Sequence, residues 1–421
     1  MTTRRDHYCG GPGCGLGAML AAGLRAPSLL PSWLQTRGGQ VIPTNSGRTA
    51  IALIAQIFEL ASGDEVLVPS YNCGTEIDAI ISTGATPVPY RITRELSIDE
   101  ADIELRITSR TRAVYVTHYF GRCHDLDNLA ALCRQRGVKL IEDCAISLFS
   151  GLRSCDDKMQ ADAAIFSFPK WFAVPDGGAL VLKDDHQGVE TMLKPPSLPR
   201  VVRQCLPLLK SAALRGRVSG RILKRSGRNR KYDDATSLQV PAPSRPDMPQ
   251  HYYFDHHVHL HRMSRITRGL LNRVQTGRLI ETRQHNWEQL RVGISDIPAI
   301  QPLFNTLGED ECPLVLPLMV NNRNRWLSEL HTRRINAIGW WAGYYRDLSW
   351  DEFPESCALK DQVLALPVHQ ELGEFEIEHI VRSICEIAYF CEEAPANANR
   401  LVDVKPLVSE FPQSQRMSVR S

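Results

Sequence analysis

The chain has 421 residues, of which 43% are hydrophobic and 23% are charged, and its formal net charge is +2. This composition is typical of globular proteins and excludes a chain that is disordered throughout. The small net charge excludes a strong general attraction to nucleic acid, so we predict no nucleic-acid partner. No stretch approaches the roughly 20 apolar residues of a membrane span, and we expect a cytoplasmic protein.

The twelve cysteines are scattered along the chain, and no Cys/His cluster has zinc spacing. Disulfide frameworks are typical of much shorter, secreted chains. We therefore expect reduced thiols and predict no metal site.

The N-terminal segment contains Gly13, Cys14 and Gly15, which suggest a dinucleotide-binding loop. No predicted strand precedes them, and the GxGxxG spacing is incomplete. The segment is also too rich in glycine, and too interrupted by Pro12 and Arg25, to be a signal peptide. We interpret it as a flexible arm.

Apolar periodicity predicts alternating helices and strands from residue 45 onward. Helices are expected over 48–60, 74–83 and 125–136, and strands over 65–68, 85–90, 112–118, 138–143, 163–168 and 178–182. Such alternation indicates an α/β fold with a largely parallel sheet and helices on both faces. Ligands bind at the carboxyl ends of such strands. His118, Asp143 and Ser167 lie at predicted strand ends and are therefore candidate site residues.

The pattern breaks at residues 194–250, which are rich in proline and in basic side chains, and a second α/β region begins near residue 312. That region predicts strands over 313–320 and 363–369 and helices over 326–335 and 374–390. We expect a large and a smaller domain. The predicted boundaries are an N-terminal arm over 1–39, a large domain over 40–290 with a basic insert at 194–250, a small C-terminal domain over 291–405, and a tail over 406–421.

Pyridoxal phosphate (PLP) requires a lysine, a carboxylate for the pyridine nitrogen and a group of donors that binds the phosphate. Three features of the sequence meet these requirements. Lys170 follows Pro169 directly after one predicted strand, and Asp143 ends the strand before it. Residues 44–49 (TNSGRT) open the first long helix, where free amides and the helix dipole attract a phosphate. Each feature alone also fits a structural role, as a solvated lysine, an acidic helix cap or an ordinary N-cap.

The order of these features resembles the DegT/DnrJ/EryC1/StrS family of PLP-dependent sugar aminotransferases, as do the stretches NSGRTAIAL, GVKLIEDCA, ADAAIFSFPK and DGGALV. The resemblance covers residues 40–185 and 250–385. It implies the type I PLP-dependent transferase fold (aspartate-aminotransferase-like), with a mostly parallel central sheet and a smaller C-terminal α/β domain. It also implies that Lys170 forms the Schiff base and that Asp143 contacts the pyridine nitrogen. The implied phosphate site consists of Gly47, Arg48, Thr49 and Ser167.

Three positions depart from the family pattern and indicate a divergent member. Cys73 stands where family members place an aromatic ring over the cofactor, and Tyr71 is a candidate replacement for that ring. Ile146 stands where a glutamine often contacts the cofactor. Leu260 replaces an asparagine that is often donated across the dimer.

The resemblance implies an aminotransferase that moves an amino group from an amino acid such as glutamate to a nucleotide-linked keto sugar. It implies a homodimer with shared active sites, and His118 is a further candidate contact or a structural histidine. One alternative is a PLP-dependent sugar dehydratase, which Lys170 disfavours because the related dehydratases have a histidine there. Another is a binding or regulatory relative without catalysis, which the three departures favour.

Residues 200–231 contain eleven Lys or Arg and no Asp or Glu, with leucines between them. Such a segment is typical of weak contact with an anionic membrane surface. It equally fits binding of nucleotide-sugar phosphates at the crevice mouth, or a solvated helix. The sequence leaves these three readings open.

Overall fold

The computed structural model describes residues 13–27, 29–35, 38–150, 159–215, 245–248, 253–254 and 260–392. Its main sheet has seven strands in the order β1-β7-β6-β5-β4-β2-β3. Neighbouring strands from β3 to β6 are parallel, and β7 is antiparallel to both β6 and β1. The strands are β1 (Gln40–Thr44), β2 (Glu65–Pro69), β3 (Thr86–Tyr90), β4 (Thr111–Thr117), β5 (Lys139–Asp143), β6 (Ala163–Ser167) and β7 (Gly178–Leu182).

The helices cover both faces of this sheet and continue into the C-terminal region. They are α1 (Leu16–Leu24), α2 (Ser32–Gln35), α3 (Gly47–Ile57), α4 (Thr75–Ile81), α5 (Glu100–Arg106), α6 (Asp127–Arg136), α7 (Leu198–Arg215), α8 (Arg265–Leu271), α9 (Thr276–Gly293), α10 (Arg323–Thr332), α11 (Pro354–Gln362) and α12 (Glu374–Glu392). Short 3-10 turns cover Phe168–Lys170 and Val189–Met192.

Strand β2 shows why the main sheet is buried on both faces. All five of its residues are buried, as expected of a central parallel strand. Val66 and Val68 point into one apolar cluster with α3 and α4, whereas Leu67 points into a second cluster with α5 and α6. Because side chains alternate along a strand, each central strand contributes to both layers.

A second, antiparallel sheet has the order β10-β11-β9-β8. Its strands are β8 (Ile300–Pro302), β9 (Val315–Val320), β10 (Ile338–Gly339) and β11 (Val363–Pro367). Leu316 and Leu318 of β9 lie in the same apolar cluster as Leu67 and Phe166 of the main sheet. The small sheet therefore packs against the large one through a continuous core.

The predicted α/β architecture is confirmed, including the strands that end at Asp143 and Ser167. Residues 16–24 differ from the expected flexible arm, because they form α1 and pack against α8. A Cβ at Gly269 of α8 would collide with the Ala22 carbonyl, so this glycine permits the close approach of the two helices.

Much of the basic insert, at 216–244, and the whole tail at 406–421 lie outside the described residues. The domain boundaries remain predictions. Among the helices that the structure describes, none is long and apolar enough to cross a membrane.

Candidate active site

Asp143 lies at the carboxyl end of β5 and is held by two donors. The Tyr115 hydroxyl donates to Asp143 Oδ2 at 2.7 Å, and the Ala145 amide donates to Oδ1 at 2.8 Å. Burial, followed by the charges of Asp143 and Glu76, raises the pKa of Tyr115 well above its ordinary value. The tyrosine therefore keeps its proton and remains a donor. A carboxylate has about four acceptor sites, so Asp143 retains capacity for a further donor.

Lys170 closes the 3-10 turn that follows β6, and its side chain is exposed. The turn forms here because Pro169 ends the strand, and a proline is tolerated at the first position of a helix. The Trp171 indole donates to the Ala145 carbonyl at 3.0 Å. Since the Ala145 amide holds Asp143, this residue connects the lysine turn to the carboxylate.

Arg283 of α9 and Gln370, which follows β11, hold the same turn in place. Arg283 is buried, lies 4.8 Å from the centre of the Trp171 ring and donates to the Trp171 carbonyl at 3.3 Å. Gln370 donates to the same carbonyl at 3.2 Å. Burial lowers the pKa of Arg283 to about 10, which still leaves the guanidinium charged at neutral pH. The lysine turn is therefore held by residues far from it in sequence.

The N-terminus of α3 lies beside the end of β6. Ser46 caps the helix and accepts from the Thr49 amide at 3.3 Å. A Cβ at Gly47 would lie 3.5 Å from Ser167 Cβ, so the first turn of α3 contacts the strand that precedes Lys170. Arg48 is half-buried on that turn. The geometry brings together the four residues that the sequence predicts to bind a phosphate, Gly47, Arg48, Thr49 and Ser167.

The sequence predicts that Thr49 binds the phosphate, but the structure places its side chain within the helix cap. Its side chain is buried and hydrogen-bonded to the side chains of Asn45 and Ser46. The Asn45 amide in turn donates to the His261 carbonyl at 2.9 Å. Thr49 therefore stabilises the cap that orients the helix amides, and its own amide is bound to Ser46 Oγ.

Cys73 contacts the buried carboxylate of Glu76. Its Sγ is 2.8 Å from Oε2 of Glu76, and its amide donates to Oε1 of the same side chain at 3.1 Å. Burial and the carboxylate of Glu76 raise the pKa of the thiol to about 12, although the nearby Lys170 ammonium acts in the opposite direction. Cys73 is thus a protonated thiol that donates to Glu76, and it replaces an aromatic ring with a small polar group.

Glu76 and Lys360 are site-associated residues that the sequence did not reveal. Glu76 is 2% exposed, and Lys360 on α11 is fully buried. Lys360 Nζ donates to the carbonyls of Asn72 at 2.6 Å and Gly343 at 3.0 Å. It also lies 4.7 Å from the centre of the Trp350 ring. No local motif marks Lys360, because Asn72 lies 288 residues earlier in the chain. Glu76 is bonded by its neighbours Cys73 and Thr75, but an acidic residue in the first turn of a helix is also typical of an ordinary cap.

Tyr71 is placed away from the predicted cofactor contact. It is fully buried, its hydroxyl donates to the Trp340 carbonyl at 3.4 Å, and its ring lies 5.2 Å from that of Trp341. The Tyr119 hydroxyl donates to the Tyr71 carbonyl at 2.6 Å. The structure therefore gives Tyr71 a packing role against Trp341 and Tyr119, in place of the expected substitution for an aromatic ring at Cys73.

His118 faces a different set of partners from Asp143. Its Nε2 lies 3.3 Å from Glu142 Oε2, and its Nδ1 accepts from the His124 amide at 3.0 Å. Glu142 and Asp143 are adjacent in β5, so their side chains point to opposite faces of the sheet. The structure thus favours the structural reading of His118.

A group of three possible metal ligands nevertheless forms at this position. His118, Glu142 and Cys144 have ligand atoms within 4.8 Å of one another. Because Nδ1 of His118 accepts from the His124 amide, Nε2 is the ring nitrogen that carries a proton, and it faces Glu142. No imidazole lone pair is then available to a metal, and hydrogen bonding accounts for the cluster.

The structure also describes Ile146 and Leu260, the other two positions that depart from the family pattern. Ile146 is 1% exposed and belongs to the core beneath the Asp143 loop. The Leu260 carbonyl accepts from the Lys194 amide at 3.0 Å, and the next residue, His261, contacts the α3 cap through Asn45. Backbone contacts of residues 260–262 therefore support the N-terminus of α3, where the sequence predicts the phosphate site.

Comparison with known proteins shows what this part of the chain is similar to. Residues 36–202 match the model of the DegT/DnrJ/EryC1/StrS aminotransferase family. This part of the chain is similar to that family and makes up less than half of the sequence. It includes α3, Asp143, Ser167 and Lys170, so the candidate site lies within the matched residues.

A curated relative from Saccharopolyspora spinosa, dTDP-4-dehydro-2,3,6-trideoxy-D-glucose 4-aminotransferase, is 34% identical over 148 residues. That alignment covers 34% of this chain and 38% of the relative. The chain matches little more than a third of the length of the curated family relatives, with values from 34% to 42%.

Solved structures extend the likeness of fold to most of the chain. PseC of Helicobacter pylori, an aminotransferase involved in the biosynthesis of pseudoaminic acid, has a TM-score of 0.61 at 17% identity, covering 92% of this chain and 100% of that one. Spr1654 of Streptococcus pneumoniae in its PLP form has a TM-score of 0.63 at 17% identity, covering 91% and 99%. The fold shared with these two structures therefore continues beyond residue 202 into the C-terminal region.

The residues of this site fit PLP by their chemistry. Asp143 offers an acceptor for a protonated ring nitrogen, and Lys170 offers an exposed amine on a fixed turn. At Gly47 a Cβ would occupy space beside Ser167, at a helix N-terminus, which is the end of a helix that attracts phosphate. The three groups come from β5, β6 and α3, which meet at one edge of the sheet.

Proposed function

We propose that this protein is a PLP-dependent aminotransferase that takes an amino group from an amino acid such as glutamate and gives it to a keto sugar linked to a nucleotide. The observation that carries the proposal is the connection of Asp143 to the Lys170 turn through Ala145 and Trp171. The family match of residues 36–202 and the name of the Saccharopolyspora relative support the reaction and the sugar class.

PLP, when bound, supplies an electron-accepting ring and carries the transferred amino group. Asp143 would keep the ring nitrogen protonated, and the Tyr115 and Ala145 donors orient its carboxylate for that contact. The amides of α3 at Gly47 and Arg48, with the Ser167 hydroxyl, would hold the phosphate. The Lys170 amine would hold the cofactor covalently until the amino donor takes its place, and the amine released in that exchange would accept the proton from the donor's α-carbon.

Cys73 and Glu76 shape the part of the site that an aromatic ring occupies in other family members. Because the thiol is protonated and donates to Glu76, it is a poor nucleophile and serves as a positioning group. A small side chain here leaves more room above the cofactor position than an aromatic ring does. We expect this room to be used by the sugar substrate.

We also propose a cytoplasmic homodimer. The nine described cysteines form no disulfide with one another, which is in keeping with a reducing compartment. The resemblance to a family whose members share site residues between subunits supports the dimer. Light scattering during size-exclusion chromatography measures the subunit number directly.

The central test uses purified full-length protein loaded with PLP. Borohydride reduction followed by peptide mass mapping should place the cofactor on Lys170. Stopped-flow spectra with glutamate, glutamine and alanine should show conversion of the bound cofactor to its amino form. A panel of nucleotide-linked keto sugars should then restore the starting spectrum and yield an aminated sugar by mass spectrometry.

The results separate the proposed reaction from its alternatives. Water loss from a sugar without amine incorporation would identify a dehydratase. A protein that binds no reducible PLP at Lys170 would be a relative without this catalysis. Either result overturns the proposal.

A further inference from the structure

Helix α1 is apolar on all sides and yet stands partly at the surface. Its sequence, LGAMLAAGL, contains no polar side chain. Met19 and Ala22 are buried against the protein, whereas Leu16, Leu20 and Leu24 are 57%, 57% and 81% exposed. These three leucines are spaced four residues apart and form one stripe along the helix. A helix that is apolar all round is normally buried in a core or in a membrane.

Helix α7 carries a second stripe of the same kind. Leu198, Val202 and Leu206 are 74%, 63% and 59% exposed and are also spaced four residues apart. Their neighbours Val201 and Cys205 pack against Met19 of α1 in a small apolar cluster. Each exposed stripe therefore runs beside the seam at which the two helices meet.

Most of the exposed large apolar side chains of the described residues lie on or beside α1 and α7. The described residues expose twelve large apolar side chains, and eight of them lie within 16–29 and 192–206. Single exposed apolar residues are normal on protein surfaces, but a concentrated patch marks an interaction site. The two helices and their flanks thus form a surface that differs from the rest of the molecule.

The charge of α7 indicates what this surface contacts. The helix has no acidic residue, and Arg203 and Lys210 are exposed. At 100° per residue, both lie on the flank of the apolar stripe that is opposite to the buried Val201. An apolar stripe bordered by basic side chains is typical of helices that lie in the headgroup region of a bilayer.

We propose that α1 and α7 together form a membrane-contacting surface that binds anionic bilayers without crossing them. The leucine stripes would enter the boundary between headgroups and acyl chains, and Arg203 and Lys210 would contact lipid phosphates. A two-fold contact between copies through the same surface would instead bring basic side chains of α7 together, with no acidic residue on either helix to offset them. The proposal does not depend on the aminotransferase activity.

The test is flotation of full-length protein with vesicles of phosphatidylcholine alone or with about one third phosphatidylglycerol. The wild type should float with the anionic vesicles and much less with the neutral ones, and added salt should reduce its binding. A patch variant, Leu20→Gln with Leu24→Gln, Val202→Gln and Leu206→Gln, should bind at least about tenfold less. The matched control, Leu105→Gln with Val292→Gln and Phe375→Gln, changes exposed apolar residues elsewhere and should bind like the wild type.

A second variant, Arg203→Glu with Lys210→Glu, removes the basic border and should lose the preference for anionic vesicles. Circular dichroism confirms that each variant is folded before it is compared. Equal flotation of wild type and patch variant, or no flotation of the wild type with anionic vesicles, would overturn the proposal. It would also be overturned if light scattering showed that the patch variant dissociates a wild-type oligomer, because the surface would then join copies of this chain.

Discussion

The ε-ammonium group of Lys360 donates a 2.6 Å hydrogen bond to the carbonyl oxygen of Asn72, 288 residues earlier in the chain. Lys360 belongs to α11 beside the small sheet, and Asn72 directly precedes Cys73 in the candidate site. Trp350 covers the ammonium group at 4.7 Å, so the contact is shielded from water. Helix α11 thus holds the segment that precedes α4 and presents Cys73.

The first prediction uses the titration of this lysine. Burial lowers the pKa of Lys360 to about 8, although Glu76 acts in the opposite direction. Between pH 8 and the ordinary lysine pKa of 10.5, the unfolded chain binds a proton that the folded chain has released. The free energy of unfolding therefore rises with pH in this window, by up to about 3 kcal/mol from this group.

Urea denaturation of the wild type and Lys360→Met at pH 7.5 and pH 10 checks this expectation. The wild type should gain stability relative to the variant at the higher pH. Lys183→Met, which changes an exposed lysine, should show no such gain. An unchanged difference between wild type and Lys360→Met would show that Lys360 does not titrate in this window.

The second prediction concerns Lys170. Because its side chain is exposed, Lys170→Ala should change the free energy of unfolding of the cofactor-free protein by no more than about 0.5 kcal/mol. It should abolish the PLP adduct that borohydride traps. Lys183→Ala is the matched control and should keep the adduct. Trapping of PLP on another lysine in the wild type would contradict the assignment.

The third prediction separates two neighbouring carboxylates. Asp143→Asn removes the charge that keeps the ring nitrogen protonated, so the half-reaction with the amino donor should slow by about two orders of magnitude or more. Glu142→Gln changes the residue directly before Asp143, which faces His118. This variant should leave the rate of the half-reaction near the wild-type value. Stopped-flow spectra at saturating donor measure both variants. Equal rates for the wild type and Asp143→Asn would assign the role to another group.

The fourth prediction follows from the hydrogen bond of Tyr115 to Asp143. Tyr115→Phe keeps the packed ring but removes one donor from the carboxylate. A hydrogen bond to a charged group contributes about 1.5 kcal/mol or more, which corresponds to about tenfold in rate. We expect a loss of that size in the same half-reaction, with PLP content near that of the wild type. A loss as large as that of Asp143→Asn would show that the tyrosine acts on substrate directly.

The fifth prediction compares two glycines near the α3 cap. A Cβ at Gly178 would lie 2.7 Å from the Phe166 carbonyl oxygen and 2.8 Å from the Gly47 amide nitrogen, so Gly178→Ala should destabilise the fold by about 1–3 kcal/mol. At Gly47 the added Cβ makes ordinary contacts at 3.5 Å or more, so Gly47→Ala should fold normally. It should instead weaken PLP binding about tenfold, because it narrows the approach of the phosphate. Fluorescence titration with PLP and thermal melts of both variants measure the two effects, and a melt of Gly178→Ala equal to that of the wild type would contradict the first.

The sequence by itself determined the main sheet and the position of the candidate site. Apolar runs separated by helical patterns indicated parallel strands, and the carboxyl ends of such strands meet at one edge. Asp143, Ser167 and Lys170 follow directly from that rule, because each lies at or just beyond a strand end. The helix cap before Gly47 was equally visible, since a cap depends only on neighbouring residues.

The tertiary structure alone decided which side chains support those residues. Tyr115 and Arg283 carry no local signal, because their partners are brought to them by strand pairing and domain packing. Tyr71 lies two residues before Cys73 but packs against Trp341. His118 contacts Glu142, which faces the side of the sheet opposite to Asp143 because side chains alternate along a strand. Helix α1 was missed because glycine is unfavourable in an isolated helix, whereas packing against α8 stabilises it in the folded protein.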